Sequence, residues 1–221
     1  MTNEVSLYFD SQVHAYENLN KNLIWKKIKK NEIEALIPKK FIFKNKKVLD
    51  LGCGNGIYTN LIFQGGAELI DCVDISSKML ESLVSNSSNN SNSNSNSNSK
   101  TKIRTFCTQI ENFKPDIKYD VMILSGSFEF LKHHQNVLNL ISTYMQPGGL
   151  LLILAPRKNF LGGLYYLFHL YHGIRVKLFS IKELKKMALK SDFCIDKVEN
   201  IFPFALVMHL KKCENQNTLY E

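Results

Sequence analysis

The fold is decided by the stretch Val48-Leu49-Asp50-Leu51-Gly52-Cys53-Gly54-Asn55-Gly56. Its first four residues are mainly apolar and follow Lys46 and Lys47, which predicts a short buried strand. The three alternating glycines let the chain turn with positive φ angles, and their missing Cβ atoms let backbone N–H groups approach a ligand closely. Residues 57–63 then resume as the first turns of a helix. Strand, glycine turn and helix together are typical of a site that holds a nucleotide-like ligand at a helix N-terminus.

Two common nucleotide motifs do not fit this turn. The dinucleotide fingerprint Gly-x-Gly-x-x-Gly, counted from Gly52, requires a third glycine at position 57, where the chain has Ile57. The phosphate-binding loop requires Gly-Lys-Ser/Thr after the turn, and that sequence is absent. Neither motif therefore predicts a pyrophosphate ligand.

Residues 50–56 resemble motif I of the class I S-adenosylmethionine (SAM) methyltransferases, Asp/Glu-x-Gly-x-Gly-x-Gly. The resemblance covers residues 46–211 and implies an α/β fold, a three-layer α/β/α Rossmann-like domain. Its seven-stranded sheet is expected to have an antiparallel last strand. The resemblance also implies SAM as cofactor, with Asp50 near the methionine ammonium and Gly52, Gly54 and Gly56 at the turn.

Two further strand ends supply polar residues for such a cofactor. Asp74 closes the second predicted strand, near the spacing at which a carboxylate accepts hydrogen bonds from ribose hydroxyls. The alternative is a helix cap, a role that Ser76 could fill instead. At the end of the third strand, the resembling family usually has an Asp that bonds the adenine amino group. Gln109 stands there, and its amide oxygen can accept the same bond, while Ile110 is expected to pack on the ring.

Candidate catalytic residues follow the fourth and fifth strands. Ser125 ends the fourth strand, where the resembling enzymes line the site that faces the transferred methyl group. A general base is needed only if the acceptor is a weakly acidic hydroxyl or a protonated amine, and His133, His169 and His172 are the candidates. Both Glu129 and His133 either point into this site or simply sit on a helix.

The segment 160–173 is rich in aromatic residues and contains His169 and His172, which share a face if it is helical. Packing on the core and a lid over an apolar or aromatic substrate are equally favoured. A membrane-surface helix is less favoured because a charged face is missing. No clustered carboxylate or cysteine completes a ligand set with the two histidines, so no metal site is expected.

Composition indicates a single globular domain. The chain has 221 residues, 44% of them hydrophobic, and no apolar run long enough to span a membrane. The N-terminus lacks the basic start and apolar core of a signal peptide. Five cysteines without metal-type spacing predict reduced, buried thiols and a cytoplasmic protein. The net charge of +8 comes largely from lysines between residues 21 and 47; without interleaved arginine they favour a solvated helix surface over a nucleic-acid site.

The expected organisation is a helical extension at 1–45, a methyltransferase domain at 46–211 and a tail at 212–221. Tyr8 or Tyr16 either covers the cofactor or packs on the core. Residues 85–99 are almost purely Ser and Asn and are expected to be disordered, at the edge of the sheet remote from the ligand.

The resemblance implies methyl transfer from SAM to an oxygen or nitrogen atom of a small-molecule acceptor, apolar or aromatic. One alternative is an RNA or protein methyltransferase, although the Asn/Asp-Pro-Pro-Tyr/Phe motif of many base methylases is absent at 125–128. The other is a non-catalytic interaction module, which motif I and Asp74 disfavour but Gln109 leaves open. The oligomeric state is not predicted.

Overall fold

A computed structural model describes residues 2–19, 22–37, 43–91 and 101–213. The strands are β1 Lys47–Leu51, β2 Leu69–Asp74, β3 Lys102–Cys107, β4 Tyr119–Ser125, β5 Met145–Pro156, β6 Phe193–Ile201 and β7 Ala205–Lys212. The helices are α1 Thr2–Leu19, α2 Leu23–Leu36, α3 Ile57–Gln64, α4 Ser77–Ser91, α5 His134–Tyr144, α6 Phe160–Tyr171 and α7 Ile181–Leu189.

The strands form one seven-stranded sheet in the order β3-β2-β1-β4-β5-β7-β6. The first five strands are mutually parallel, and β7 runs antiparallel to both β5 and β6. This confirms the predicted Rossmann-like sheet with an antiparallel last strand. The strand order reverses between β1 and β4, and ligands of such sheets bind at the carboxyl ends of the strands beside that reversal.

Hydrophobic clusters cover both faces of the sheet and so create the three layers. Neighbouring residues of β1 point to opposite faces, with Val48 in one cluster and Leu49 in the other. The N-terminal segment contributes to one of these layers, because Ala35 and Leu36 of α2 are buried in the Val48 cluster. His209 Nε2 on β7 also lies 3.0 Å from the Ala35 carbonyl oxygen. Part of the predicted extension is therefore integral to the packed domain.

A buried ionic network joins three strands toward their amino ends. Asp71 on β2 is fully buried and faces Arg104 on β3 in the strand register. Arg104 donates from Nε to Asp71 Oδ1 at 2.7 Å and from a terminal nitrogen to Oδ2 at 2.6 Å. Tyr119 on β4 donates its hydroxyl to Asp71 Oδ2 at 2.5 Å. Because a buried charge requires such partners, this network is a structural element of the sheet.

The cysteines differ from the prediction of five reduced, buried thiols. Cys53 and Cys72 are buried and free, but Cys107 is exposed. Cys194 and Cys213 form a disulfide. The β6–β7 pairing places Cys194 opposite Lys211, close to Cys213 at the end of the hairpin, and single-strand patterns do not reveal that proximity.

The Ser/Asn tract begins inside a helix, because α4 continues to Ser91. The tract from residue 92 onward lies outside the described residues. In the described part of the chain, no helix has both the length and the apolar character needed to cross a membrane.

Candidate active site

The glycine turn after β1 has a left-handed backbone. Gly52, Gly54 and Gly56 have φ angles of +73°, +53° and +88°, which glycine adopts without steric cost. A Cβ on Gly52 would lie 2.2 Å from the Cβ of Ser127, and Ser127 donates a hydrogen bond of 2.7 Å to the Leu51 carbonyl. Nothing lies within 4 Å of a Cβ built on Gly54. The turn thus packs against the segment after β4 and borders open space at Gly54.

Asp74 is fixed against this turn at the end of β2. Its Oδ2 accepts a hydrogen bond of 2.8 Å from the Gly54 N–H, and its Oδ1 accepts one of 2.9 Å from the Ser76 N–H. Burial raises the pKa of Asp74, and these backbone donors oppose the rise. A carboxylate offers about four lone-pair sites, so acceptor positions remain for ligand hydroxyls. The Ser76 hydroxyl caps α4 by accepting a hydrogen bond of 3.1 Å from the Met79 N–H. Asp74 is therefore not needed as the cap of this helix.

A cavity of about 750 Å³ lies at the carboxyl edge of the sheet. The predicted cofactor residues that border it are Gly52, Gly54, Asp74, Gln109, Ile110 and Ser125. The volume is within the range of small-molecule sites, roughly 300–1,000 Å³. The lining runs from Gln109, beyond β3, to Ala205 at the start of β7. Five strand spacings of about 4.8 Å give a length of about 24 Å, enough for two ligands side by side.

The cavity has two chemically different parts. The glycine-turn half is formed by the turn itself, Asp74, Gln109 and Ile110. The Glu129 half lies over β4, β5 and the start of β7 and includes Trp25, Glu129, Tyr165 and Phe204. The first offers backbone and acceptor groups, whereas the second offers aromatic rings and a carboxylate.

Helix α1 lies over the end of β2 beside the glycine-turn half. Ser6 donates to the Ile75 carbonyl at 3.1 Å, and Ser76 donates to Asp10 Oδ1 at 2.5 Å. Phe9 borders the cavity. Among the described side chains of α1, the aromatic one at the cavity wall is therefore Phe9.

The two tyrosines expected on α1 are placed differently. Tyr8 does not border the cavity, and its hydroxyl lies 3.4 Å from His169 Nδ1. This supports the packing alternative for Tyr8. The side chain of Tyr16 lies outside the described residues.

Asp50, at the end of β1, and Gly56, the last glycine of the turn, do not border the cavity. Asp50 is buried, and its Oδ2 accepts a hydrogen bond of 2.7 Å from the Thr59 hydroxyl on α3. Burial raises the pKa of Asp50 to about 7, against the effect of the Thr59 bond and with a smaller contribution from Asp74. A Cβ on Gly56 would lie 2.8 Å from Leu83 Cγ. In this structure Asp50 supports the turn through Thr59, and the predicted contact with an ammonium group stays a prediction.

Only one of the three predicted catalytic histidines reaches the cavity. His133 borders it, at the start of α5. His169 is 4% exposed and packs among aromatic rings, including Tyr165 at 4.5 Å between centroids. Burial lowers the pKa of His169 to about 4, with a smaller effect from His172. His172 is exposed, and its Nδ1 lies 2.8 Å from the Phe168 carbonyl oxygen. The structure does not bring His169 and His172 to the cavity wall.

Helix α6 combines features of the alternatives for segment 160–173. One stripe of large apolar residues points to solvent, made up of Phe160, Leu164, Leu167, Phe168 and Tyr171. On the inner side, Tyr165 borders the cavity and stacks on Phe204 at 4.9 Å between ring centroids. Core packing alone therefore does not describe this segment.

Glu129, for which the sequence left two placements open, borders the cavity. It lies in the 3-10 turn Phe128–Phe130 after β4, is buried, and receives a hydrogen bond from Tyr165. Its signal in the sequence was a carboxylate between two phenylalanines at a strand end, but its partner Tyr165 is remote in sequence. Among the described residues, no group of His, Cys, Asp and Glu side chains forms a metal site.

A profile of the methyltransferase domain family matches residues 24–198. The malonyl-[acyl-carrier protein] O-methyltransferase of Halalkalibacterium halodurans is 27% identical over 152 residues, covering 67% of this chain and 53% of the relative. The ubiquinone biosynthesis O-methyltransferase of Coxiella burnetii (strain Dugway 5J108-111) is 27% identical over 130 residues, covering 58% of this chain and 51% of the relative. The chain thus spans about half the length of these curated relatives.

The fold is also similar to solved methyltransferases. The magnesium protoporphyrin IX methyltransferase of Synechocystis PCC 6803, solved with bound SAH, superposes with a TM-score of 0.72 at 17% identity. The match covers 94% of this chain and 98% of that one. With a family profile that matches from α2 into β6, this chain belongs to the methyltransferase domain family.

Proposed function

We propose that this protein transfers the methyl group of SAM to an oxygen atom of a small-molecule acceptor. The observation that carries the proposal is the open space at Gly54 beside the Asp74 carboxylate, in one cavity with Gln109 and Ile110. Family membership supports methyl transfer. Two similar relatives are named O-methyltransferases, which favours oxygen over nitrogen as the methylated atom.

The residues of the glycine-turn half fit the polar groups of this cofactor. Asp74 would accept hydrogen bonds from the ribose hydroxyls, and Gln109 would accept one from the adenine amino group. Ile110 would pack on the adenine ring. SAM, when bound, supplies a methyl group activated by a positively charged sulfur. The protein then contributes mainly alignment of acceptor and donor, which is worth about 7–11 kcal/mol in favourable systems.

The wall of the Glu129 half favours a small aromatic or apolar acceptor over RNA. Trp25, Tyr165 and Phe204 contribute rings to it. Lys29, one of the lysines that could have formed a nucleic-acid surface, pairs with Glu32 at 2.8 Å.

The expected cytoplasmic location was based on reduced thiols. The Cys194–Cys213 disulfide removes part of that basis, so the location stays a prediction.

Calorimetric titration with SAM tests the proposal on the wild type and on Asp74→Asn. The variant keeps the size of the side chain but loses its charge and one accepting oxygen. A hydrogen bond to a charged acceptor contributes about 1.5–3 kcal/mol, so SAM affinity should fall at least about tenfold. Asp196→Asn, an exposed carboxylate on the edge strand β6, is the matched control and should leave the affinity unchanged.

Far-ultraviolet circular dichroism on the same samples verifies that each protein is folded. A folded wild type that does not bind SAM would refute the cofactor assignment and favour the non-catalytic interaction module. Wild-type affinity in Asp74→Asn would refute the ribose role of Asp74 while leaving SAM as the cofactor.

A further inference from the structure

Glu129 has a buried carboxylate oxygen without a partner. The side chain is 3% exposed. Its Oε1 accepts a hydrogen bond of 3.1 Å from the Tyr165 hydroxyl, whereas its Oε2 has no hydrogen-bond partner among the described residues. Buried polar atoms in native proteins nearly always have a partner, and an orphaned one is costly. Glu129 borders the cavity, and a bound molecule that reaches Oε2 would supply the missing donor.

The backbone that carries Glu129 is held beside the glycine turn. The Lys177 N–H donates to the Glu129 carbonyl at 2.9 Å, and the neighbouring Phe128 stacks on Phe179 at 5.1 Å between centroids. Ser127, two residues earlier, packs against the glycine turn. The backbone of Glu129 is therefore fixed two residues from the contact between Ser127 and the glycine turn.

The surroundings of Glu129 select the chemistry of the donor. From α2, Lys29 and Glu32 act electrostatically on Glu129, and from α6, Tyr165 bonds it. Lys29 and Glu32 already form an ion pair. Lys132 and Arg175 also border the cavity but are not among the main groups that act on Glu129. An acceptor carboxylate beside Oε2 would therefore meet the buried Glu129 charge next to an already paired lysine, which is unfavourable. A neutral hydroxyl donor avoids this repulsion.

The aromatic character of the wall selects the group that bears the hydroxyl. The ring side chains of the Glu129 half include Trp25, Tyr165 and Phe204. Aromatic pairs in offset or edge-to-face geometry gain free energy beyond simple burial. A planar aromatic acceptor therefore fits this half better than a flexible polar one.

We propose, on the basis of the SAM-dependent function proposed above, that Glu129 is the catalytic base for an aromatic acceptor that carries a hydroxyl. The hydroxyl oxygen attacks the methyl carbon, and a new C–O bond forms. The C–S bond breaks, its electron pair stays on sulfur, and the hydroxyl proton moves to the Glu129 carboxylate. Tyr165 is a positioning residue, because it holds Oε1 and leaves Oε2 for the acceptor.

The ionisation of Glu129 agrees with this role. Burial raises the pKa of Glu129 to about 7, against smaller opposing effects from hydrogen bonds and Lys29. A general base works best when its pKa is near the working pH. Methylation that depends on Glu129 should therefore increase as the pH rises through about 7, because the deprotonated form is the base.

Four probe acceptors test the proposal with SAM as methyl donor: phenol, 4-nitrophenol, benzoate and benzylamine. We expect the wild type to methylate the phenols. At pH 8, Glu129→Gln should lower kcat/KM for phenol by about 100-fold or more, because glutamine cannot take the proton. The loss should be much smaller for 4-nitrophenol, whose more acidic hydroxyl is largely ionised already. Glu129→Gln should also lose the rise of the rate near pH 7.

Two further variants separate base chemistry from structure. Glu129→Asp keeps a carboxylate and should restore part of the rate and the pH dependence. Glu199→Gln, the same change on the edge strand β6, should leave both unchanged. SAM affinity, measured calorimetrically, should be the same in Glu129→Gln and the wild type.

The outcomes distinguish this proposal from the general function. With SAM binding intact, methylation of benzoate or benzylamine but of neither phenol would overturn the inference. Methylation of none of the four probes would overturn it as well. An equal loss for phenol and 4-nitrophenol in Glu129→Gln would overturn the role as base. A wild type that does not bind SAM would overturn the proposed function itself and this inference with it.

Discussion

Compared with the wild type, Asp50→Asn should have a higher relative free energy of unfolding at high pH than at low pH. Asp50 is buried at the end of β1, with Thr59 as its hydroxyl donor. Burial raises its pKa from 3.8 to about 7 in the folded state. Between these values the unfolded chain has lost the proton that the folded protein keeps. The free energy of unfolding therefore falls as the pH rises toward 7 and levels off above it.

The size of the effect follows from the pH interval. From pH 5 to about pH 7, the unfolded state is ionised at Asp50 and the folded state is not. Each pH unit in this interval removes about 1.4 kcal/mol, so ionisation of Asp50 costs the wild type on the order of 2–3 kcal/mol between pH 5 and pH 8. Asparagine cannot ionise, so the variant does not incur this loss.

Urea unfolding followed by circular dichroism at pH 5 and pH 8 measures the difference. At each pH, the free energy of unfolding of the wild type is subtracted from that of Asp50→Asn, and the two differences are compared. Any constant cost of the amide cancels in this comparison, as do the titrating groups that do not interact with Asp50. Asp196→Asn on β6 is the control for removal of a surface carboxylate. A difference that is the same at pH 5 and pH 8 would refute the reasoning, because it would mean that Asp50 ionises alike in both states.

Three substitutions and one matched control, Gly163→Ala, extend the test to the rest of the fold, each measured as the free energy of unfolding in urea. Gly52→Ala should cost about 1–3 kcal/mol, because the added Cβ would lie 2.2 Å from the Ser127 Cβ and because the backbone has a positive φ. A Cβ added at Gly163 has nothing within 4 Å, so Gly163→Ala should be neutral or stabilising. Equal effects of the two would contradict the packing argument. Tyr119→Phe should cost about 1.5–3 kcal/mol by removing a donor to the buried Asp71 carboxylate, and an unchanged stability would show that other donors replace it. Ser180→Ala should cost about 1 kcal/mol through loss of the α7 cap, unless water satisfies the freed N–H equally well.

The glycine-turn half was predictable because its information is local and lies in the backbone. A strand followed by Gly52, Gly54 and Gly56 dictates a left-handed turn whatever else surrounds it. Asp74 could be placed for a related reason: the carboxyl ends of parallel strands meet at one edge of the sheet. The seven strands and the antiparallel direction of the last one were implied by the resemblance to the class I SAM methyltransferases, and the sheet confirms both.

The Glu129 half depends on contacts that no local pattern encodes. Its wall combines Trp25, Glu129, Tyr165 and Phe204, which come from separate segments and meet only after the sheet has formed. A histidine pair on one helical face attracted the catalytic assignment, but rotation of α6 about its axis decides which residues face inward. The structure turns Tyr165 to the cavity and buries His169 among other rings. The acceptor chemistry that we propose therefore depends on tertiary packing, and substitution of Glu129 is its decisive test.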